Sequence, residues 1–309
     1  MARAADWIQA ARPRTLVAAL IPVGLAAAVH RLHAPAHPGW LGTVAGCASF
    51  ALLAQVASNL ANDLGDGLRG TDLEGRLGPP RAVAAGRISP RAMALATGVV
   101  VLLALGVGLV AAGIALDGWV LAAGILALVL ALGYTLGPFP LAYKGLGDVF
   151  VIACFGVQAT VLTGLVLWRE AAFHPPYEPV AWPPLLADLL VAGLGLGCLA
   201  DNLLLANNAR DREGDAAAGK RTTVVRFGLG FARALHAANL LVGLGALAWV
   251  FGWPPLLLAP LAARDHLAFR RASRGEAFVP FLSRAALFLL LAGVLCITGA
   301  CLGWGAAVR

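Results

Sequence analysis

Two acidic clusters carry the residues best suited to chemistry: Asn62-Asp63-Leu64-Gly65-Asp66, and Asn207-Asn208 leading through Asp211 to Asp215. Each lies at the end of an apolar stretch. On a helix, Gln55, Asn59 and Asp63 are spaced i, i+4, i+8, and Asn62 stands four residues before Asp66, so polar groups line one side. Asn207, Asp211 and Asp215 repeat the spacing, with Asn208 three before Asp211 and Asp201 a further two turns back. Oxygen-only donors of this kind suit a hard cation. Mg²⁺ typically takes a few carboxylates and completes its shell with phosphate oxygens and water. Two such clusters facing each other could hold Mg²⁺ on a diphosphate. The competing reading is that Asp and Asn merely cap helices; two motifs on one face, each beside an Arg-rich loop, favour a site.

The elements that must position these residues follow from composition. The chain has 309 residues, 60% hydrophobic and 13% charged, with mean hydropathy +0.82, too little polar surface to cover a water-soluble globule of that size. It reads as an all-α polytopic membrane bundle. A helix crossing the hydrocarbon core needs about 20 apolar residues, and nine stretches qualify: roughly 14–31, 41–61, 92–114, 118–136, 148–168, 184–207, 231–251, 253–270 and 283–306. The eighth carries Pro254, Pro255 and Pro260 and is expected to be kinked or incomplete. A carboxylate at the bilayer centre costs about 3 kcal/mol or more, so acids gathered beside such helices mark a site.

Loop charge orients the bundle. With the N-terminus inside and nine passes, every one of the 23 Lys and Arg residues except Arg31, Arg169 and Arg309 falls in a cytoplasmic segment, as the positive-inside rule requires. The C-terminus is then outside, and both acidic motifs, four passes apart, face the cytoplasm. The net charge of +7 is mostly this bias and needs no nucleic acid to explain it. The basic start runs directly into a full-length apolar span, with no cleavable signal peptide expected. The lipid bilayer is an expected partner, and a multi-pass location in the cell (inner) membrane is expected.

The 5 cysteines all fall inside expected spans without metal-like spacing and read as small apolar residues. His30, His33 and His37 crowd one outer loop. With no carboxylate or cysteine near them in the sequence, a solvated loop is preferred over a metal site. The chain 1–309 reads as one domain. Each acidic motif is followed by a long, basic, Gly-rich loop, Leu68 to Pro90 and Ala216 to Gly228, of a length more often found in lids and binding loops than in connectors.

The run Asn62-Asp63-x-x-Asp66, the Asp211-x-x-x-Asp215 motif and the nine spans resemble the UbiA superfamily of intramembrane aromatic prenyltransferases. Three stretches, Ser58 to Asp72, Tyr134 to Asp148 and Leu204 to Thr222, are most similar to its branch that prenylates 1,4-dihydroxy-2-naphthoate in menaquinone synthesis. The likeness covers nearly the whole chain. Gly70 stands where the wider family often carries a further Asp, and Asp72 follows two residues later.

The resemblance implies Mg²⁺ held by Asp63, Asp66, Asp211 and Asp215, with Asn62 and Asn208 as neutral oxygen donors and Asp72 nearby, binding the diphosphate of a polyprenyl donor. Arg81, Arg87, Lys220 and Arg221 are placed to add charge-assisted hydrogen bonds to the phosphates; the alternative reading of Arg81 and Arg87 is as topology charges. Ionisation leaves an allylic cation, which Tyr134 and Tyr143 could shield by cation–π attraction of about 2 kcal/mol unless they are ordinary interfacial aromatics. Gln158, polar within the fifth span, could position the aromatic acceptor or satisfy a neighbouring helix. The acceptor in this branch loses its carboxylate; 4-hydroxybenzoate is the alternative acceptor. A cation-coupled transporter would instead place its acids near the midplane on broken helices, and a phosphatidyl-alcohol transferase would concentrate them in one long motif.

Overall fold

A computed structural model describes residues 3–70, 81–112, 118–174 and 180–304. Among them every regular element is helical. In chain order these are α1 (Ala4–Ala11), α2 (Pro13–His33), α3 (Trp40–Arg69), α4 (Pro90–Ala112), α5 (Gly118–Gly133), α6 (Gly147–Phe150), α7 (Ala159–Ala171), α8 (Trp182–Arg210), α9 (Arg212–Ala217), α10 (Thr223–Phe251), α11 (Ala259–Arg271) and α12 (Val279–Cys301). A π-helical segment, Val151–Gln158, joins α6 to α7. Long apolar runs take this form because a helix satisfies its own backbone polar groups where lipid cannot.

Seven of the runs are long and apolar enough to cross a membrane: Thr15–His33, Trp40–Arg69, Pro90–Ala112, Gly147–Ala171, Trp182–Arg210, Thr223–Phe251 and Gly275–Cys301. The other two expected spans come out shorter. α5 has 16 residues, about 24 Å at 1.5 Å per residue, against a core of about 30 Å. The stretch expected over 253–270 splits into a 3₁₀ turn, Pro254–Leu258, and the 13-residue α11. Its prolines start each piece, where a missing N–H costs no helical bond. α10 also divides, at Gly228, whose φ of 77° lies outside the helical region.

Glycine sets a close contact within the bundle. The π segment and α8 meet backbone to backbone: a Cβ on Gly197 would stand 2.6 Å from the Ile152 carbonyl oxygen, and one on Gly193 would stand 2.8 Å from Val157 Cα. Small residues permit such approach where helices associate by packing in lipid. Two apolar clusters anchor the motif-bearing helix ends. Leu60 and Leu64 of α3 pack with Ala10, Ala82, Val83, Ile88 and Met93. Leu205, Ala206 and Ala209 of α8 pack with Val224, Phe269, Phe278 and Phe281.

Candidate active site

The C-terminal ends of α3 and α8 bring the two acidic motifs to the same end of the bundle. Asp66, 1% exposed, is the centre of the arrangement. Its Oδ2 accepts from Arg81 Nη2 at 2.7 Å and its Oδ1 from the Tyr143 hydroxyl at 2.8 Å. Lys220 Nζ lies 3.6 Å from Asp66 Oδ1 and 3.8 Å from Asp215 Oδ1, so one ammonium bridges the first motif to the second. It also sits 4.9 Å from the centre of the Tyr143 ring, with the Arg69 guanidinium 5.1 Å from that ring.

The local backbone explains how α3 delivers these groups. Gly65 and Gly67 are there for close approach: a Cβ at Gly65 would be 3.0 Å from the Thr135 carbonyl oxygen, and one at Gly67 would be 2.6 Å from Val83 Cγ1. The segments on either side, around 135 and around 83, therefore lie directly against the motif. Arg69 fastens the first by donating to the carbonyls of Thr135 at 2.6 Å and Gly137 at 3.1 Å. Asp63 fastens the second. Its Oδ2 accepts the Ala82 N–H at 2.9 Å and its Oδ1 the Val83 N–H at 2.8 Å.

Through these two bonds Asp63 holds the 81–88 segment, and with it Arg81, over Asp66. Asn59, expected on the same polar stripe, also turns to structure. Its Nδ2 donates to the Ala11 carbonyl at 2.9 Å and to Thr15 Oγ1 at 3.0 Å, closing the break between α1 and α2, and Gln55 Nε2 donates to its Oδ1 at 3.2 Å. Asn62 Oδ1 accepts from the Thr135 hydroxyl.

The second motif does not run as one continuous helix. α8 ends at Arg210, Asp211 is the junction, and α9 begins at Arg212, although Asp215 N still donates to the Asp211 carbonyl at 2.8 Å. Arg210 Nε meets Asp211 Oδ1 at 2.7 Å and its Nη2 also reaches Oδ2, while Nη2 donates to Asn207 Oδ1 at 2.7 Å. Asn208 is buried beside it. Asp201 points elsewhere, accepting from Asn239 Nδ2 of α10 at 2.8 Å.

The basic residues divide. Arg81 and Lys220 reach the acidic centre. Arg87 Nη1 donates to Gln9 Oε1 at 2.7 Å and lies 3.7 Å from Asp6 Oδ1, tying the loop to α1. Arg221 is exposed, and its backbone N–H donates to the Tyr143 carbonyl at 3.1 Å, which places Tyr143. Tyr134 packs its ring 5.0 Å from that of Phe150. Asp72 lies outside the described residues. Arg69 and Arg210, read from the sequence only as topology charges, are part of the acidic end; Arg210, beside Asp211, had the adjacency that could have revealed it.

Behind this end runs an apolar cavity of about 160 Å³, walled by small residues including Ala51, Ala54, Ala127 and Ala131, with Gln55, Ser58, Gln158 and Thr163 among its polar points. Gln158 closes the π segment, a helix form common at functional sites. The site thus offers carboxylate and amide oxygens without sulfur or imidazole, a donor set that fits Mg²⁺. The Lys220 ammonium lies between Asp66 and Asp215, so carboxylates of both motifs face one positive charge.

Comparison with known proteins is consistent with this geometry. The model of the UbiA prenyltransferase family matches residues 19–287. The 1,4-dihydroxy-2-naphthoate octaprenyltransferase of Escherichia coli is 34% identical, over 99% of this chain and 98% of that protein. The Haemophilus influenzae protein of the same name is 31% identical, over 96% of both. Among solved structures, a UbiA homolog from Archaeoglobus fulgidus bound to DMAPP and Mg²⁺ shares the fold with a TM-score of 0.57 at 18% identity, covering 95% of this chain and 99% of that one. Seven membrane-length helices make the chain a multi-pass membrane protein, and it belongs to the UbiA prenyltransferase family.

Proposed function

We propose that this chain transfers a polyprenyl group from its diphosphate to 1,4-dihydroxy-2-naphthoate, with loss of the ring carboxylate as CO₂, in menaquinone synthesis. The observation that carries the reading is the Lys220 bridge between Asp66 and Asp215. It joins motifs far apart in sequence into one centre of alternating charge, as a diphosphate and its counter-ion require. Asp63, Asp66, Asp211 and Asp215, with Asn62 and Asn208 beside them, form the expected Mg²⁺ set, and Mg²⁺ when bound would neutralise charge on the leaving diphosphate. Of these, Asp63 is assigned a positioning role through its two backbone bonds.

The chain's own groups divide the remaining work. Arg81 and Lys220 exchange their carboxylate partners for phosphate oxygens, with Arg suited to bidentate contact. The C–O bond of the allylic diphosphate breaks, the diphosphate stays on these cations, and the allylic cation faces the Tyr143 ring, which already attracts two cationic side chains. The electron-rich ring forms the new C–C bond and gives up its carboxylate as CO₂. The small-residue cavity takes the isoprenoid tail and keeps water from the cation. The acidic end faces the cytoplasm of the inner membrane in this reading, supported by the Lys and Arg distribution.

The test is prenyl transfer by purified protein in detergent, with Mg²⁺ and a polyprenyl diphosphate, offering 1,4-dihydroxy-2-naphthoate and 4-hydroxybenzoate in parallel and EDTA as control. Mg²⁺-dependent prenylation of the naphthoate alone is expected. Prenylation of the benzoate instead would keep the chemistry and replace the acceptor; transfer to neither would reject the reading.

A further inference from the structure

The opposite end of the bundle holds a second cluster of donors, of different chemistry. His37, in the turn between α2 and α3, is 4% exposed, yet neither of its ring nitrogens has a hydrogen-bond partner. Glu170 and His174, at the end of α7, come against it. One donor atom from each of His37, Glu170 and His174 lies within 4.8 Å of the others. The His37 and His174 rings stack with centroids 4.8 Å apart, and His174 Nε2 is 3.6 Å from Glu170 Oε1 while Glu170 Oε2 has no hydrogen-bond partner. His33 is not part of the set, since its Nε2 is 2.8 Å from Asp188 Oδ2.

The backbone is shaped to admit these groups. A Cβ on Gly39 would stand 2.7 Å from Glu170 Oε1 and 3.0 Å from His174 Nε2. Gly39 has φ of −83°, so any residue could adopt its backbone; what the glycine provides is room for the two side chains. His30, 1% exposed and with both nitrogens also unpartnered, is the next donor inward, its ring centroid 6.5 Å from that of His37. Buried polar atoms without partners are destabilising, and an ion among them would satisfy them.

We propose that His37, Glu170 and His174 bind a divalent transition metal of the Zn²⁺ class, clamping the turn between α2 and α3 to the end of α7. Two imidazoles and a carboxylate match the N and O ligands that Zn²⁺ takes, with water or His30 as a fourth, and they are a poor set for Mg²⁺. Donors around a tetrahedral Zn²⁺ are about 3.4 Å apart, from bonds of about 2.0–2.1 Å. Side-chain rotation that unstacks the two rings closes the remaining gap. The partial exposure of Glu170 and His174 leaves an entry path. α3 separates this cluster from Asp66 by about 40 Å at 1.5 Å per residue, so the proposal does not rest on the prenyl-transfer reading.

The test uses full-length protein in detergent, stripped with EDTA and carrying Asp66→Asn to weaken the acidic-end site, titrated with Co²⁺. One bound equivalent with the visible absorption of nitrogen-ligated tetrahedral Co²⁺ is expected, displaced by stoichiometric Zn²⁺ and not by excess Mg²⁺. His174→Ala and Glu170→Gln should each weaken binding by more than about 10-fold. Gly39→Ala, which removes no ligand atom but displaces two, should weaken it as well, and serves if a ligand variant fails to fold. Absence of the Co²⁺ absorption, or absorption that persists unchanged in the folded variants, would overturn the proposal.

Discussion

Asp63→Asn separates two roles that look alike in sequence. In the folded protein the Asp63 carboxylate accepts two backbone N–H groups, from Ala82 at 2.9 Å and Val83 at 2.8 Å, in a buried setting. An amide keeps one acceptor oxygen and turns an N–H toward the other backbone N–H. One charge-assisted bond is lost, worth about 1.5–3 kcal/mol, and a buried donor is left facing a donor. The segment over Asp66 should therefore open about 10- to 150-fold more often, at about 1.4 kcal/mol per decade. Arg81, carried by that segment, would leave its 2.7 Å contact with Asp66 in the same proportion. Two measurements read this out. Hydrogen exchange should accelerate at the amides of Ala82 and Val83, and the prenyl-transfer KM for the diphosphate donor should rise while the half-saturating Mg²⁺ concentration changes far less than in Asp66→Asn. If Asp63→Asn raises the Mg²⁺ requirement as much as Asp66→Asn does, with amide exchange unchanged, Asp63 is a metal ligand and the positioning role is wrong.

Other perturbations test other parts of the site. Lys220→Gln removes the ammonium between Asp66 and Asp215 and should lower kcat/KM for the diphosphate donor about 10- to 150-fold, from a lost charged hydrogen bond of about 1.5–3 kcal/mol; an unchanged value would remove Lys220 from phosphate binding. Tyr143→Phe keeps the ring and loses the 2.8 Å bond to the Asp66 carboxylate, so steady-state assays should show a loss of about 10- to 150-fold, from about 1.5–3 kcal/mol, and a larger one for Tyr143→Ala. Equal losses in the two variants would argue against cation shielding by the ring. Gly197→Ala drives a Cβ to 2.6 Å from the Ile152 carbonyl and should destabilise the bundle by about 1–3 kcal/mol, seen as a lower Tm in detergent. Ala51→Phe fills the apolar cavity, and competition between donors should shift product toward shorter prenyl chains; the same chain-length preference as the parent would place the tail elsewhere.

The amino-acid sequence by itself determined the class of this protein. Its apolar content allows only a membrane bundle, and acids and amides at helical spacing beside basic loops mark the reactive end, because both follow from local composition. It also carried the family, in Asn62 to Asp66 and Asp211 to Asp215. Tertiary structure decided which like residues do unlike things. Asp63 and Asp66 share one helix and one charge, yet Asp63 faces two backbone N–H groups while Asp66 faces Arg81, Tyr143 and Lys220. Arg81 and Arg87 share one loop, but a turn sends Arg87 to Gln9. His37 lacks a carboxylate near it in sequence and gains Glu170 and His174 only when α7 packs beside it. Partners of that kind are set by which helix faces meet, and spacing along one chain segment carries no information about the segment across from it.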